Sequence, residues 1–340
     1  QPFINNNNKI VALFNGEIYN YKDFGDYKSD GYCLIDLYLK YGFDFIKHLD
    51  GEFAITLFDF KKNIFVISTD IFSTKPLWYA IDKNKLGISS YESALNRAEM
   101  NNIKKLNANT TLIYQISTLK LLKENRVHKF NFKQFKTTYD DWLNAFINSI
   151  KKRTNDNNYD TFICLSSGYD SGSICCILNQ LKKNYESFTI IGSENHQIIN
   201  DRVKINNKKS NIIKINDKEK QTIKKYLDKN AENFEYTHVQ RNIKDDPASI
   251  GMAHICKINS AKKNRICLTG TGADEIHCDY GHNGEKKARS SCFGGKFPED
   301  LNTIVSNNPK EKVIWESFYN KSQKDFLSKE EIIGGLYGIE

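Results

Sequence analysis

The sequence predicts two domains of mixed architecture: an α+β first half and an α/β second half built on a parallel sheet. Three observations lead there. The chain has 340 residues, more than a single hydrophobic core usually organises. The runs 53–59, 63–69, 77–82 and 85–90 are strand-like and separated by turn residues, which reads as an antiparallel meander. In the second half, apolar runs beginning at Thr161 and Arg265 each lead into small residues and then toward a helix. Strands separated by helices imply a parallel sheet, whose strand ends gather their loops at one edge.

Composition bounds the class of protein. Hydrophobic residues make up 39% of the chain and aromatics 12%, enough for real cores. The charge of 49 − 41 = +8 is spread along the chain, with only short pairs such as Lys151-Lys152-Arg153. That pattern reads as a solvated basic surface, so no nucleic-acid partner is expected. None of the eight cysteines forms a Cys-x-x-Cys pair, and several sit inside apolar runs. The expectation is a reduced, cytoplasmic protein without a zinc site. No apolar segment approaches membrane-spanning length and no signal peptide is apparent, so no membrane partner is expected.

In the first half, residues 10–14 form a buried-strand run that ends in Asn15-Gly16. Taken alone, Asn-Gly after a strand is a turn signal. Asp30 precedes Leu34, Ile35, Leu37 and Leu39, a helix-like segment that breaks near Gly42. The strand runs 53–59 to 85–90 follow. Residues 119–136 are polar and rich in Lys and Asn, and read as a linker between a first domain at 1–118 and a second at 137–340.

In the second half, Thr138-x-x-Asp141 reads as a capped helix start. Trp142, Leu143, Phe146, Ile147 and Ile150 then recur at helical spacing as a core stripe. The stretch Thr161–Ser173 runs from strand through a small-residue turn into a helix. That arrangement aims backbone N–H groups and a positive helix end at an anion. Ser166, Ser167 and Ser171 add hydroxyl donors, whereas Asp170 would repel a bare phosphate and so suggests a bridging Mg2+. A further strand is expected at 187–192. The run Arg265–Leu268 then enters Thr269-Gly270-Thr271-Gly272-Ala273-Asp274-Glu275. On one parallel sheet Asp170 and Asp274 would converge on a single Mg2+.

Four blocks carry a resemblance in the first half: Phe14-Asn15-Gly16-Glu17-Ile18-Tyr19-Asn20-Tyr21, Ser29-Asp30, Leu49-Asp50-Gly51-Glu52-Phe53-Ala54, and Asp70-Ile71-Phe72-Ser73-Thr74-Lys75-Pro76-Leu77. Their order resembles the glutaminase domain of asparagine synthetases, which are class II glutamine amidotransferases. Ser166-Ser167-Gly168-Tyr169-Asp170-Ser171 resembles the ATP-pyrophosphatase loop, usually Ser-Gly-Gly-x-Asp-Ser. The 269–275 block resembles the synthetase motif Ser-Gly-Glu-Gly-Ala-Asp-Glu. The resemblance implies an N-terminal-nucleophile glutaminase of αββα sandwich type, incomplete here, followed by a parallel-sheet ATP-pyrophosphatase domain.

The same resemblance implies roles. Asn15 and Gly16 would form the oxyanion hole for the glutamine amide, and Glu17 and Asp30 would hold its α-amino group. ATP and its pyrophosphate would meet Leu165, Ser166, Ser167, Gly168, Asp170, Ser171, Ile190, Thr269 and Gly270, with Asp170 and Asp274 on Mg2+. The implied substrates are glutamine, aspartate and ATP; a homodimer is left open. The implied reaction is adenylation of the aspartate β-carboxylate, then amidation by ammonia released from glutamine.

Departures qualify the resemblance. The family's nucleophilic N-terminal Cys and a later catalytic Lys have no counterpart here, so the expectation is a fragment truncated at both ends. Thr69 stands where the family usually has Arg, and Ser73 where it usually has Gly. Thr271 replaces the first Glu of the synthetase motif, as also happens in related enzymes that close β-lactam rings. Thr cannot act as a carboxylate base near pH 7. A ligase or cyclase with a non-aspartate carboxylate, or a non-catalytic paralogue, therefore stays open. His277 and His282 read as structural.

Overall fold

The computed structural model describes residues 1–82, 85–129, 138–155, 159–192, 194–205, 210–232, 235–236, 241–262 and 264–270. The described residues up to 129 and those from 138 onward belong to two separate compact units.

The first unit holds two antiparallel sheets. The larger runs in the order β1 (Phe3–Asn5), β2 (Ile10–Ile18), β3 (Gly51–Asp59), β4 (Ile64–Thr69), β8 (Thr110–Gln115), β9 (Leu121–Arg126). The smaller pairs β5 (Trp78–Asp82) with both β6 (Lys85–Ser89) and β7 (Lys104–Lys105). The expected meander is therefore split. β3 and β4 stay in the large sheet, while β5 and β6 leave it.

Alternation of side chains explains the layers. Phe53, Ile55 and Leu57 of β3 face one way, into a core with Leu34, Leu37 and Tyr38 of helix α1 (Cys33–Tyr41). Ala54 and Phe58 face the other way, with Phe65, Ile67 and Leu112, into a core shared with Tyr79 and Ile88 of the smaller sheet. A short helix, α2 (Glu92–Arg97), covers that smaller sheet through Leu95, which approaches Gly87. The sequence of layers is helix, sheet, sheet, helix, as expected. Strands buried on both faces read as continuous apolar runs, which is why β3 and β4 were legible.

Two local expectations change. Asn15 and Gly16 do not turn the chain, because β2 continues through them to Ile18, with Gly16 opposite Phe53. The absent Cβ permits this: at Gly16 it would lie 1.9 Å from the carbonyl oxygen of Glu52. Residues 121–126, expected within the linker, form the edge strand β9 paired to β8. Five of its six residues are exposed, so its polar composition is that of an edge strand.

The second unit has a parallel sheet in the order β12 (Ser210–Ile213), β11 (Tyr185–Ile190), β10 (Asp160–Cys164), β15 (Arg265–Leu268). The chain works outward from β10 to β12, then crosses back to lay β15 on the other side of β10. Helices α3 (Asp140–Arg153) and α4 (Tyr169–Gln180) supply Ile150, Ile174, Ile177 and Leu178 to the core on the face of Ile163. Helix α7 (Pro247–Ser260) supplies Ile255 to the opposite face, with Phe162 and Phe188. Between β11 and β15 the chain also forms α5 (His196–Ile205), α6 (Asp217–Asn230) and a two-residue pairing of β13 (Glu235–Tyr236) with β14 (Arg241–Asn242).

The core stripe of α3 is covered only toward its C-terminal end. Trp142 and Leu143 remain exposed, while Phe146, Ile147 and Ile150 pack inward. Thr138 lies one residue outside the N-cap, Tyr139. Inside the sheet, Glu186 is buried and paired with Arg265 at 2.8 Å and Lys262 at 2.9 Å, so this charge has its partners.

Candidate functional site

In the first unit, a cavity of about 380 Å³ is lined by Phe14, Asn15 and Gly16 on β2 and by Ser29, Asp30 and Tyr32 at the entry to α1, with Gln1 and Phe3. Gln1 accepts the Phe14 N–H through its Oε1 at 2.9 Å. Asp30 accepts the N–H of Ile18 at 2.9 Å and its neighbour Gly31's N–H at 2.8 Å, which ties the 29–32 turn to β2. Burial raises the Asp30 carboxyl above the usual carboxylate range, and those two N–H groups pull it back only in part. The Asn15 side chain donates to Ser90 Oγ at 3.2 Å. Glu17, the other expected anionic contact, lies on the same strand but is exposed and does not line the cavity.

Asp70 is a structural residue that motif reading left without a role. Its carboxylate accepts from the N–H of Phe53 at 2.9 Å, Phe72 at 2.9 Å and Thr74 at 3.0 Å. It thus pins the turn after β4 to the residue opposite Gly16. Within that turn Ser73 has φ +52°, the left-handed region where glycine is favoured.

In the second unit, geometry converges where the sheet order reverses, between β10 and β15. An open parallel sheet binds ligands at such a point, beyond the carboxyl ends of its strands. Leu165 is held there by its N–H to Phe188 O at 2.8 Å and by its carbonyl, which accepts from Thr189 Oγ1 at 2.8 Å. Ser166 and Ser171 bond to each other, Oγ to Oγ at 2.8 Å, which closes the loop into the first turn of α4. The Gly168 N–H donates to Ser166 Oγ at 3.1 Å. Asp170 is exposed at the start of α4.

The second loop meets the first through a glycine. At Gly270, two residues past β15, a Cβ would lie 2.5 Å from the Asp170 Cβ and 3.3 Å from the Ser171 nitrogen. Ile190 ends β11 and fills the space over Gly251. Of the expected residues, Leu165, Ser166, Ser167, Gly168, Asp170, Ser171 and Gly270 come together. Asp274, Thr271, His277 and His282 lie outside the described residues.

Two charged side chains on this loop carried no signal in the sequence. Glu194 accepts from the N–H and the hydroxyl of Ser167. Arg202 of α5 donates to the carbonyls of Ser166 and Gly168, the latter at 2.9 Å. Both lie in the charged 193–243 stretch, where neither periodicity nor small residues mark them.

The donor set fits a hard divalent cation: one exposed carboxylate beside serine hydroxyls. Among the described residues no three His, Cys, Asp or Glu side chains gather as a metal group. Mg2+ in phosphate sites needs no such cage, since one or two carboxylates share it with phosphate oxygens. Among the described residues no helix is long and apolar enough to cross a membrane.

Comparison with known proteins agrees with both halves. Residues 1–144 match the model of a glutamine amidotransferase domain, and residues 141–330 match that of asparagine synthase. A putative glutamine-hydrolysing asparagine synthetase of Methanocaldococcus jannaschii is 30% identical over 205 residues, 51% of this chain and 36% of that protein. A probable asparagine synthetase of Acanthamoeba polyphaga mimivirus is 25% identical over 82% of this chain and 56% of its own length. The amidase chyE of Penicillium rubens is 34% identical over 26% of this chain and 15% of its own. The chain thus spans about a third to somewhat over half the length of these two synthetases. Among solved structures, glutamine phosphoribosylpyrophosphate amidotransferase from B. subtilis aligns over 92% of this chain and 82% of its own, at 14% identity and a TM-score of 0.34. The asparagine synthase model covers more than half of the chain, and the chain belongs to the asparagine synthase family.

Proposed function

We propose that this chain is part of a glutamine-dependent amide ligase that makes asparagine from aspartate. Glutamine hydrolysis in the first unit supplies ammonia. The second unit activates a carboxylate with ATP and hands it to that ammonia. The observation that carries the reading is the packing of Gly270 on Asp170 where the parallel sheet reverses its order.

In the first unit, the Asn15 amide and Gly16 N–H would face the glutamine amide oxygen as charge develops on it. Asp30 would hold the α-ammonium group. A carboxylate raised by burial gains most from a cationic ligand, because that ligand offsets the desolvation. Glu17, exposed two residues beyond Asn15 on the same strand, would join it.

In the second unit, an aspartate carboxylate oxygen attacks the α-phosphorus of ATP. The bond from the α-phosphorus to the bridging oxygen breaks, and pyrophosphate leaves against Ser166, Ser167, Gly168 and Ser171 at the N-terminus of α4. Leu165, Ile190 and the backbone at Thr269 and Gly270 would border the nucleotide. Ammonia then attacks the acyl carbon and AMP departs. Asp170, with Asp274, would hold Mg2+, which neutralises charge on the leaving pyrophosphate.

The test is pyrophosphate release from Mg–ATP with aspartate and ammonia, using the complete reading frame, with asparagine identified by mass spectrometry. Aspartate-dependent release with asparagine formed is expected. Folded protein that binds ATP but shows no aspartate-dependent release would overturn the choice of acceptor. Thr271 favours the second reading in that event, a ligase or cyclase for another carboxylate.

A further inference from the structure

Glu194 occupies donors that a phosphate oxygen would use. Its carboxylate accepts from both the N–H and the hydroxyl of Ser167, just before α4. The Asn195 N–H donates back to Ser167 Oγ at 3.2 Å. Arg202 grips the same loop by its carbonyls, at Ser166 and Gly168. Gly172 makes room for it, since a Cβ there would lie 2.4 Å from Arg202 Nη2. The segment after β11 is therefore tied to the loop at two points, by an anion on its donors and a cation on its acceptors.

We propose that Glu194 is an internal competitor for the anion-binding loop: it must leave Ser167 for a pyrophosphate group to bind, and it displaces pyrophosphate when it returns. The proposal rests on the nucleotide reading of this loop. A carboxylate and a phosphate oxygen are both acceptors and both anionic, so they cannot share one N–H and one hydroxyl at hydrogen-bonding distance. Arg202 does not compete, because a guanidinium on carbonyl oxygens leaves the loop's donors free. The chain reaches Glu194 through Gly192, where a Cβ would meet nothing within 4 Å among the described residues. Because Glu194 must first withdraw, apparent affinity is reduced to the fraction of molecules that have Ser167 free. That suits a ligase, which must bind the triphosphate and then release the pyrophosphate cut from it.

The experiment is calorimetric titration of the full chain with magnesium pyrophosphate, for the wild type, Glu194→Gln and Glu194→Ala. Both variants should bind roughly tenfold tighter, since each removes the charged competitor. Equal or weaker binding by variants that melt as the wild type does would overturn the proposal. If the wild type and both variants bind neither magnesium pyrophosphate nor Mg–ATP, the nucleotide reading fails and takes the competitor with it. Hydrogen exchange on the wild type gives a readout free of mutation. Adding magnesium pyrophosphate should deprotect the Asn195 amide while Ser167 gains protection; unchanged protection at both refutes the exchange of partners.

Discussion

Replacing Gly16 by alanine tests the account of β2 at its tightest point. The added Cβ would sit 1.9 Å from Glu52 O and 2.8 Å from Phe53 Cα, both backbone atoms that no rotamer change can move. The φ of +142° is itself a glycine conformation and costs an alanine about 1–3 kcal/mol. Relief requires β2 and β3 to part around the Gly16–Phe53 and Glu17–Glu52 pairs. Two weakened ladder hydrogen bonds add about 0.5–1.5 kcal/mol each, so the local loss is roughly 2–6 kcal/mol. The assay is native-state hydrogen exchange of the amides from Leu13 to Ile18. Protection there should fall at least about thirtyfold, the equivalent of 2 kcal/mol. Gly42→Ala is the control, because φ is also positive there, at +60°, but among the described residues nothing lies within 4 Å of the new Cβ. It should cost about 1–3 kcal/mol of backbone strain, with no collision added, and leave β2 untouched. Protection of β2 within fivefold of the wild type in Gly16→Ala would refute the collision, and with it the reason this strand passes through an Asn-Gly pair without turning.

Other outcomes follow from single sites. Ser73→Gly should stabilise the first unit by about 1 kcal/mol in urea unfolding, because Ser73 holds φ +52° and its buried hydroxyl has no partner among the described residues. A loss of stability would refute it. Asp170→Asn should cut pyrophosphate release by about a hundredfold or more, with little change in melting since Asp170 is exposed; retained release would remove Asp170 from the chemistry. Asp30 has a pKa raised by burial, so the folded state keeps its proton to higher pH than the unfolded chain does. Its contribution therefore falls as pH rises from about 3.9 through the raised value. Asp30→Asn should lose that dependence, and urea unfolding across this range should show the stability of the wild type relative to the variant declining with pH. A difference growing in favour of the wild type would reverse the sign and refute it.

The elements that could be read in advance are those whose signal is local. β3 and β4 are apolar on both faces, α1 begins beside Asp30 and breaks at Gly42, and the Ser166–Ser171 loop spells its donors consecutively. Spacing shows that strand follows strand, but not that the second pair belongs to another sheet. The chain leaves the large sheet because Asp70 binds Phe53, Phe72 and Thr74, and one of those partners is 17 residues upstream. Composition likewise misassigned β9, because an exposed edge strand and a linker draw on the same polar residues.

The loop after β10 makes the distinction sharpest. Its serines, its glycine and the helix that follows declare that an anion belongs there, since each donor is adjacent in sequence to the next. Whether the protein already supplies an anion is a different question, answered by residues whose own surroundings carry no pattern. Glu194 is 27 residues from Ser167, and Arg202 is 36 from Ser166. They arrive because parallel strands must be joined by crossovers, and the crossover after β11 returns over the same strand ends. A fold that gathers loops to bind a ligand thereby also gathers side chains able to mimic one. Loop donors can be read from a motif, but the affinity with which they bind depends on what the crossover places against them.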